Sequence, residues 1–460
     1  MATIAFCIFN YQGELNSTLK LAKTLRLLGH QVLYLGLPDY EEKVCSYGFT
    51  FLPILEKWFP RGFIKQLELN DSNSNRFQLF LKQLKYRKLL KSLINSLIKG
   101  DNREIHTLLK VANPDLLIIS TYEELYSTFI GMIAYECQIM SIYFTDMFTS
   151  LPLPNLIVNE VSSNLKNNLI PKLLDLKNKY KGLIKSTKNI IYLLSQTDFS
   201  EEELIIKFAI SRKIPLEILD LSQPIPFKLT HLVLCPKELD LPNISREKCY
   251  YAEASIDLQR EEPSFNWSDL DEKKSLIYCS LGTTVNTFST LGMDVIIHFF
   301  KNVIDAVSLK NEYQLVLSIS DYINVEDLES IPKNVFIVNK APQLALLNKA
   351  SIAIIAGGIN TIKECIFCGV PMIVFPIWAD QPDNAERIEH HGLGVVADVK
   401  NTSASLIVDL IETIENDLLL KQRVKGWGEK FQEIENSGKA TQFILEILEQ
   451  ECNLESFSRK

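Results

Sequence analysis

The sequence predicts an α/β protein that is built from two doubly wound parallel sheets. Short apolar runs alternate with segments of helical period along most of the chain, and glycine turns separate many of them. A charged segment with several prolines interrupts this alternation near the middle. In such chains each strand is followed by a helix that crosses back over the sheet, which makes neighbouring strands parallel. At 460 residues the chain is long enough to form two domains.

The first half shows the alternation from its beginning. Residues 3–9 are predicted as a strand, residues 15–28 as a helix with apolar side chains at helical spacing, and residues 31–35 as a second strand. Further strands are predicted at the short apolar runs 51–55, 116–119, 139–144, 190–194 and 216–219.

Two apolar stretches in this half bear on membrane association. Residues 1–9 lack a basic start and a cleavage site, so we expect a first strand there and no signal peptide. Residues 125–145 approach the length of a membrane span, but Glu136 interrupts them and the period changes near Cys137. We therefore expect a buried helix followed by a core strand.

The second half repeats the pattern. Strands are predicted at residues 275–279, 351–355 and 370–377, and residues 409–450 are helical in pattern with a break at Gly426 to Gly428. The predicted organisation is an N-terminal domain at 1–240, a linker at 241–274, a C-terminal domain at 275–425 and closing helices at 426–460.

Charge and cysteine content narrow the class of protein. With 48 basic and 56 acidic residues the net charge is -8, so there is no general basic field and we expect no nucleic acid partner. Nine scattered cysteines, several within strand-like runs, predict reduced thiols in a cytoplasmic protein. Cys365 and Cys368 form a lone C-x-x-C with no second pair, which favours a helix wall over a metal or redox site.

The segment after residue 350 has the local chemistry of a phosphate site. Gly357 and Gly358 follow an apolar strand and lead into Asn360 and Thr361, which are favourable N-cap residues. The free amides and the dipole of such a helix start hold a diphosphate without a metal ion. Glu364 lies about one helical turn past Asn360, within reach of a neighbouring ribose.

A polar pair follows the next predicted strand. Asp380 and Gln381 come after the run 370–377, and the carboxyl ends of strands are where open parallel sheets bind ligands. An acid and an amide together hydrogen-bond the hydroxyl groups of a hexose. The alternative for the whole segment is a structural crossover that binds nothing.

Four motifs at these spacings resemble the donor signature of the family-one UDP-glycosyltransferases, in particular those of the macrolide and zeaxanthin glucosyltransferase kind. The motifs are Ala341-Pro342-Gln343, Gly357 to Glu364, Gly369-Val370-Pro371 and Asp380-Gln381. The resemblance implies the GT-B fold, in which two Rossmann-like domains face a cleft. It also implies donor-binding roles: Gln343 near the base, Gly357, Gly358, Asn360 and Thr361 near the phosphates, Glu364 at the ribose, and Asp380 and Gln381 at the sugar.

A second motif supports the resemblance. Ser280-Leu281-Gly282-Thr283 follows a charge-free strand as a polar glycine turn, and it resembles the turn that opens the donor domain in the same family. Ser280, Gly282 and Thr283 are then expected to face the donor phosphates from the opposite wall.

The first half departs from the family at its catalytic positions. Glu14 stands where a catalytic His is usual, Ser120 where an Asp orients that His, and Ala356 where a His contacts the diphosphate. A carboxylate at position 14 needs no orienting acid, and an Asp at 120 would repel it, so Ser120 is compatible with Glu14 as the base. The alternative is a solvated carboxylate near a helix start.

Aromatic side chains of the first half are candidates for binding an acceptor. A small lipophilic acceptor would suit Phe59, Phe80, Phe144, Met147 and Phe148, although such residues are more often simply core. A basic stretch between residues 82 and 91 fits either a peripheral contact with a membrane surface or a solvated helix face.

These observations predict an inverting, metal-independent glycosyltransferase with no resident cofactor. It would move a hexose from a UDP- or dTDP-sugar, most readily a UDP-hexose, to a hydroxyl of a lipophilic, natural-product-like acceptor. Asp269-Leu270-Asp271 matches a metal-binding pattern of another glycosyltransferase fold, but it lies in the predicted linker. Two alternatives stay open: a non-catalytic helper that binds sugar nucleotides, and a sugar-nucleotide epimerase on the same fold.

Overall fold

The computed structural model of the protein describes residues 1–9, 12–63, 88–89, 92–100, 103–152, 201–242, 244, 246–282, 292–320 and 323–458. Within these residues the chain forms two sheets, and every pair of neighbouring strands is parallel. The predicted α/β class with two doubly wound parallel sheets is confirmed.

The first sheet has seven strands in the order β3-β2-β1-β4-β5-β6-β7. Its strands are β1 (Thr3–Cys7), β2 (Gln31–Gly36), β3 (Thr50–Pro53), β4 (Leu116–Ser120), β5 (Ser141–Thr145), β6 (His231–Val233) and β7 (Cys249–Tyr251). Its helices are α1 (Gln12–Leu27), α2 (Glu41–Ser46), α3 (Glu104–Ala112), α4 (Glu124–Glu136) and α5 (Glu201–Ser211).

The second sheet has six strands in the order β10-β9-β8-β11-β12-β13. Its strands are β8 (Ser275–Ser280), β9 (Tyr313–Ser318), β10 (Val335–Val338), β11 (Ala350–Ile355), β12 (Met372–Val374) and β13 (Gly394–Val396). The helices of this half are α6 (Met293–Ser308), α7 (Gln343–Leu347), α8 (Ile359–Phe367), α9 (Gln381–His391), α10 (Ala404–Asn416), α11 (Leu418–Glu435) and α12 (Lys439–Ser458).

The strand order reverses once in each sheet, and these two points place the candidate site. In the first sheet the chain turns back between β1 and β4, and in the second between β8 and β11. Ligands of open parallel sheets bind beyond the carboxyl ends of the strands at such a switch point. At the first switch point, Glu14 follows β1 and Ser120 ends β4. At the second, Ser280 ends β8 and Gly357 follows β11.

Apolar residues of both halves form the expected layers. Buried side chains cover both faces of the first sheet, and a larger cluster surrounds the second sheet. Helix α12 returns from the second half to the first, where Ala440, Ile444 and Leu448 join the core beside α1. The segment 241–274, for which the sequence predicted a linker, contains β7 of the first sheet; the domain boundaries themselves stay a prediction.

Residues 125–145 form a buried helix, α4, followed by the core strand β5, as predicted. Among the described residues, no helix combines the length and the apolar character that a membrane crossing requires. The predicted strand at 190–194 lies outside the described residues, and so does nearly all of the basic stretch at 82–91.

Two predictions about secondary structure were wrong. The run 216–219 is not a strand: Leu216–Ile218 form a short 3-10 turn after Pro215, and Leu216 is exposed. Gly426 and Gly428 do not break a helix, because α11 runs continuously through them. A side chain at Gly428 would bring its Cβ within 2.9 Å of the Ile366 carbonyl oxygen, so this glycine allows α11 to pack closely on α8.

Candidate functional site

The turn between β11 and α8 is shaped by two glycines with different functions. Gly357 has a φ of 91°, and a Cβ there would meet Val374 Cγ1 at 2.9 Å and the Gln381 carbonyl oxygen at 3.3 Å. Only glycine fits this backbone conformation and this space. Gly358, in contrast, faces open space, because no atom lies within 4 Å of the position that a Cβ would take there.

Gly358, and not Asn360 or Thr361, is the N-cap residue of α8. The sequence pattern placed the helix start too late, because the capping preference of Asn and Thr outweighed the glycine turn. No side chain hydrogen-bonds to the first amides of α8 from the cap position. The helix start therefore offers uncapped N–H groups and a positive dipole end to an anion.

The residues predicted to bind the nucleoside lie together in one hydrogen-bonded row. Gln343 Nε2 donates to Glu364 Oε2 at 2.7 Å, and it lies 3.5 Å from Thr361 Oγ1. The Tyr278 hydroxyl donates to Gln343 Oε1 at 3.0 Å. The Ala-Pro-Gln motif and helix α8 thus form one polar wall.

Arg260 completes this wall, and the sequence did not predict it. Its guanidinium group pairs with both carboxylate oxygens of Glu364, at 2.5 and 3.0 Å. Glu262 is its second acidic partner, and Glu262 also accepts the backbone N–H groups of Leu344 and Ala345 at 2.8 and 3.1 Å. The segment between the two sheets is thereby fixed to the start of α7 and to α8.

Asp380 and Gln381, the two residues predicted to bind the sugar, differ in their hydrogen bonding. Gln381 Oε1 accepts the N–H groups of Ile377 and Trp378 at 2.9 and 3.1 Å, so this oxygen stabilises the preceding turn. Asp380 is half-buried, burial raises its pKa to about 6, and its Oδ2 accepts from Asn384 Nδ2 at 2.7 Å. Asn384 Nδ2 also donates to the Gly357 carbonyl oxygen at 3.0 Å, which ties α9 to the glycine turn.

Asn360 joins the two halves of the chain across the cleft. Its Nδ2 atom donates to the Gly13 carbonyl oxygen at 3.1 Å and to Asp146 Oδ2 at 2.8 Å. The predicted phosphate-binding residue therefore lies directly against the wall that carries Glu14. This contact brings the donor motif and the predicted catalytic position together.

Asp146 is a site residue that sequence reasoning missed. It is completely buried, and its Oδ2 also accepts from the Tyr122 hydroxyl at 3.2 Å. Its Oδ1 has no hydrogen-bond partner among the described residues. Asp146 directly follows β5, and an acid at the carboxyl end of a parallel strand was the signal that could have identified it.

Glu14 and Ser120, where the first half departs from the family pattern, lie close together. Glu14 is completely buried, and the Phe9 N–H group donates to its two carboxylate oxygens at 2.9 and 3.0 Å. The Ser120 side chain lies near Glu14 and favours its charged form. Burial raises the pKa of Glu14 to about 8, against the smaller opposing effects of Ser120 and the Phe9 amide. Its role as base stays a prediction.

The remaining predicted residues occupy three kinds of position. Ser280 ends β8, and its Oγ accepts the Gly282 N–H group at 3.2 Å, in a turn where Gly282 has a φ of 82°. Phe59, Phe144 and Phe148 are buried in three different core clusters, and Met147 is partly buried. Thr283 and Phe80 lie outside the described residues.

Among the described residues, no three His, Cys, Asp or Glu side chains are grouped as metal ligands would be.

Comparison with known proteins agrees with the motifs of the second half. Residues 276–426 match the family model for UDP-glucoronosyl and UDP-glucosyl transferases. NDP-glycosyltransferase YjiC of Bacillus subtilis (strain 168) is 30% identical over 189 residues, which is 41% of this chain and 45% of that protein. Zeaxanthin glucosyltransferase of Pantoea ananas is 28% identical over 183 residues, 39% of this chain and 40% of that protein. The chain thus matches less than half the length of these relatives.

Solved structures resemble the whole chain. The superposition with the glycotransferase of kitacinnamycin has a TM-score of 0.65 at 19% identity, and it covers 97% of this chain and 99% of that chain. CalG4, the calicheamicin glycosyltransferase, has a TM-score of 0.65 at 16% identity, over 97% and 98% of the two chains. Spinosyn rhamnosyltransferase SpnG, in complex with thymidine diphosphate, has a TM-score of 0.62 at 14% identity, over 97% and 100%. The chain has the GT-B fold of glycosyltransferases, and its second half resembles the UDP-glycosyltransferases, as its donor motifs indicated.

Proposed function

We propose that this protein is a glycosyltransferase that moves a hexose from a UDP- or dTDP-sugar to a hydroxyl group of a small lipophilic acceptor. The observation that carries the proposal is the contact of Asn360 with Gly13 and Asp146. It places the glycine turn of the donor motif opposite the first-half carboxylates, at the switch points of both sheets. A donor and an acceptor hydroxyl bound there would lie side by side.

The donor is held by the second half. The N–H groups at the start of α8 bind the diphosphate, and Glu364, supported by Gln343, accepts hydrogen bonds from the ribose. The half-buried Asp380 binds a sugar hydroxyl. Ala356 supplies no side-chain donor, so the backbone amides and the helix dipole stabilise the leaving diphosphate. On this basis we propose that transfer needs neither a metal ion nor a resident cofactor.

The reaction is a direct displacement with inversion at the anomeric carbon. A carboxylate of the first half removes the proton from the acceptor hydroxyl, whose oxygen then attacks that carbon. Glu14 and Asp146 are the carboxylates that lie at this wall. A lipophilic acceptor is consistent with the names of relatives, which refer to zeaxanthin and to spinosyn. Eight of the nine cysteines are free thiols in the structure, which supports a reducing compartment such as the cytoplasm.

The test has two stages. Titration calorimetry with UDP and dTDP measures nucleotide binding, and incubation with a panel of UDP- and dTDP-hexoses and phenolic or terpenoid alcohols, with and without EDTA, measures transfer. We expect binding of one nucleotide, transfer that EDTA does not abolish, and a product of inverted anomeric configuration by NMR. Binding without any transfer would favour the helper protein. Conversion of the sugar nucleotide without an acceptor would favour the epimerase.

A further inference from the structure

We propose that Asp146 is the carboxylate that takes the acceptor proton, and that Glu14 positions the wall around it. This inference rests on the proposed transfer reaction. The family resemblance expects an acid at the end of β4, where this chain has Ser120. Asp146 instead follows β5, the neighbouring strand.

The first argument is the position of Asp146 relative to the donor motif. In a direct displacement the base acts on a hydroxyl that lies within bonding distance of the anomeric carbon, which is attached to the diphosphate. Asp146 Oδ2 is 2.8 Å from Asn360 Nδ2, in the first turn of the helix that would hold that diphosphate. The Glu14 carboxylate accepts the Phe9 N–H group, on its own side of the cleft.

The second argument is the hydrogen bonding of the two carboxylate oxygens. Asn360 and Tyr122 donate to Oδ2 of Asp146 and fix the orientation of the group. Its Oδ1, which is buried, has no partner among the described residues. A buried acceptor atom without a donor is costly, and an incoming hydroxyl group would supply the missing hydrogen bond. Both oxygens of Glu14 already accept the Phe9 amide.

The third argument concerns access. Asn360 covers Asp146 by its hydrogen bond, and the same side chain is the one predicted to contact the donor phosphates. When a diphosphate draws the Asn360 amide toward itself, the Tyr122 hydroxyl still holds Oδ2 in place, and Asp146 loses the side chain that separates it from the acceptor. Donor binding thereby exposes the base, which favours an order in which the donor binds first.

Atoms and electrons balance in the transfer step. The acceptor hydroxyl gives its proton to Asp146 while its oxygen forms a bond to the anomeric carbon. The bond between that carbon and the diphosphate oxygen breaks, and the diphosphate leaves with the electron pair. Asp146 then releases the proton to solvent after the product departs.

The test compares Asp146→Asn with Glu14→Gln on two acceptors, 4-nitrophenol and an unactivated aliphatic alcohol, with a donor that the wild-type protein uses. The amide introduced by Asp146→Asn keeps an oxygen for Asn360 and Tyr122 but does not accept the proton. We expect kcat/KM of Asp146→Asn to fall about 100- to 10,000-fold with the alcohol. With 4-nitrophenol at a pH where the phenol is ionised, the loss should be less than about 10-fold, because no base is needed.

The two variants and two acceptors separate the possible bases. A loss in Asp146→Asn that is equal for both acceptors, or no loss, overturns the inference, as does a loss that depends on the acceptor only in Glu14→Gln. If Asp146→Asn does not fold, the pH profile of kcat/KM for Glu14→Gln takes its place. A fall in kcat/KM at low pH that matches the wild-type profile supports Asp146 as the base. The loss of that fall in Glu14→Gln refutes the inference. A wild-type protein that transfers sugar from no donor, either to these two acceptors or to the phenolic and terpenoid panel, refutes the proposed function itself.

Discussion

Arg260 and Glu364 form a two-point ion pair that connects the segment between the sheets to the helix of the donor motif. The two residues are 104 positions apart in the chain, and the side chains are only 13% and 6% exposed. The carboxylate that is predicted to bind the ribose is therefore held in place by a cation from outside the donor motif.

Removal of the cation should destabilise the protein. Arg260→Met leaves a buried carboxylate without its partner, which costs about 3 to 5 kcal/mol of the free energy of unfolding. The double variant Arg260→Met/Glu364→Gln should recover more than half of this loss, because no unpaired charge remains. Urea denaturation of the three proteins measures both quantities, and a loss below about 1 kcal/mol in the single variant would show that the pair contributes little.

The two glycines of the donor turn should respond differently to the same substitution. Gly357→Ala forces a methyl group against Val374 at a positive φ and should cost about 1 to 3 kcal/mol of stability. Gly358→Ala points into open space in front of α8 and should change stability by less than about 1 kcal/mol. It should nevertheless weaken UDP binding, because the methyl group occupies the proposed phosphate position. Thermal denaturation and calorimetry in parallel test this, and unchanged UDP affinity in Gly358→Ala would contradict the proposed site.

Substitution of Asp380 should weaken binding of the nucleotide sugar but not binding of the nucleotide alone. Asp380→Asn removes the charged acceptor for a sugar hydroxyl, so KM for the nucleotide sugar should rise about 10-fold or more, while the affinity for UDP alone stays within about 2-fold. The matched control is Asp383→Asn, on the exposed side of the same helix. Equal effects of the two substitutions would mean that Asp380 does not contact the sugar.

The buried Glu14 should make stability depend on pH in an unusual direction. Burial raises the pKa of Glu14 from its ordinary value of 4.5 to about 8, so the folded protein keeps this proton where the unfolded chain has lost it. The contribution is complete below about pH 4.5 and is lost as pH rises toward 8. The loss is at most about 1.4 kcal/mol for each pH unit in that window.

Glu14→Gln is the appropriate comparison, because Gln keeps an oxygen for the Phe9 amide and does not titrate in this range. Urea unfolding at several pH values between about 5 and 8 should show the wild-type protein losing stability relative to the variant. Parallel pH dependences of the two proteins would contradict the raised pKa.

Local sequence patterns predicted most of the strands and the donor turn. The glycine pair, the strand before it and the helix after it form within a few residues, so local preferences determine them. Glu14 and Ser120 were singled out because the family resemblance places its catalytic pair at these positions, and the structure brings the two side chains close together.

Contacts between distant segments could not be predicted in this way. Arg260 lay in a segment predicted as a linker, and nothing near it in the sequence indicates Glu364 as its partner. Asp146 was missed because the family resemblance points to Glu14 and Ser120 as the positions of the catalytic pair. Its significance depends on Asn360, 214 positions later, which only the folded chain brings next to it.

Helix α12 has a consequence for how the protein is made. Its residues Ala440, Ile444 and Leu448 fill the core beside the first sheet, and the Ala440 N–H group donates to Glu253 at 3.0 Å. The ribosome synthesises this helix only after the described strands of both sheets have been translated. The amino-terminal half therefore emerges with an apolar groove that nothing yet covers, and it cannot reach its mature state as an independent co-translational unit.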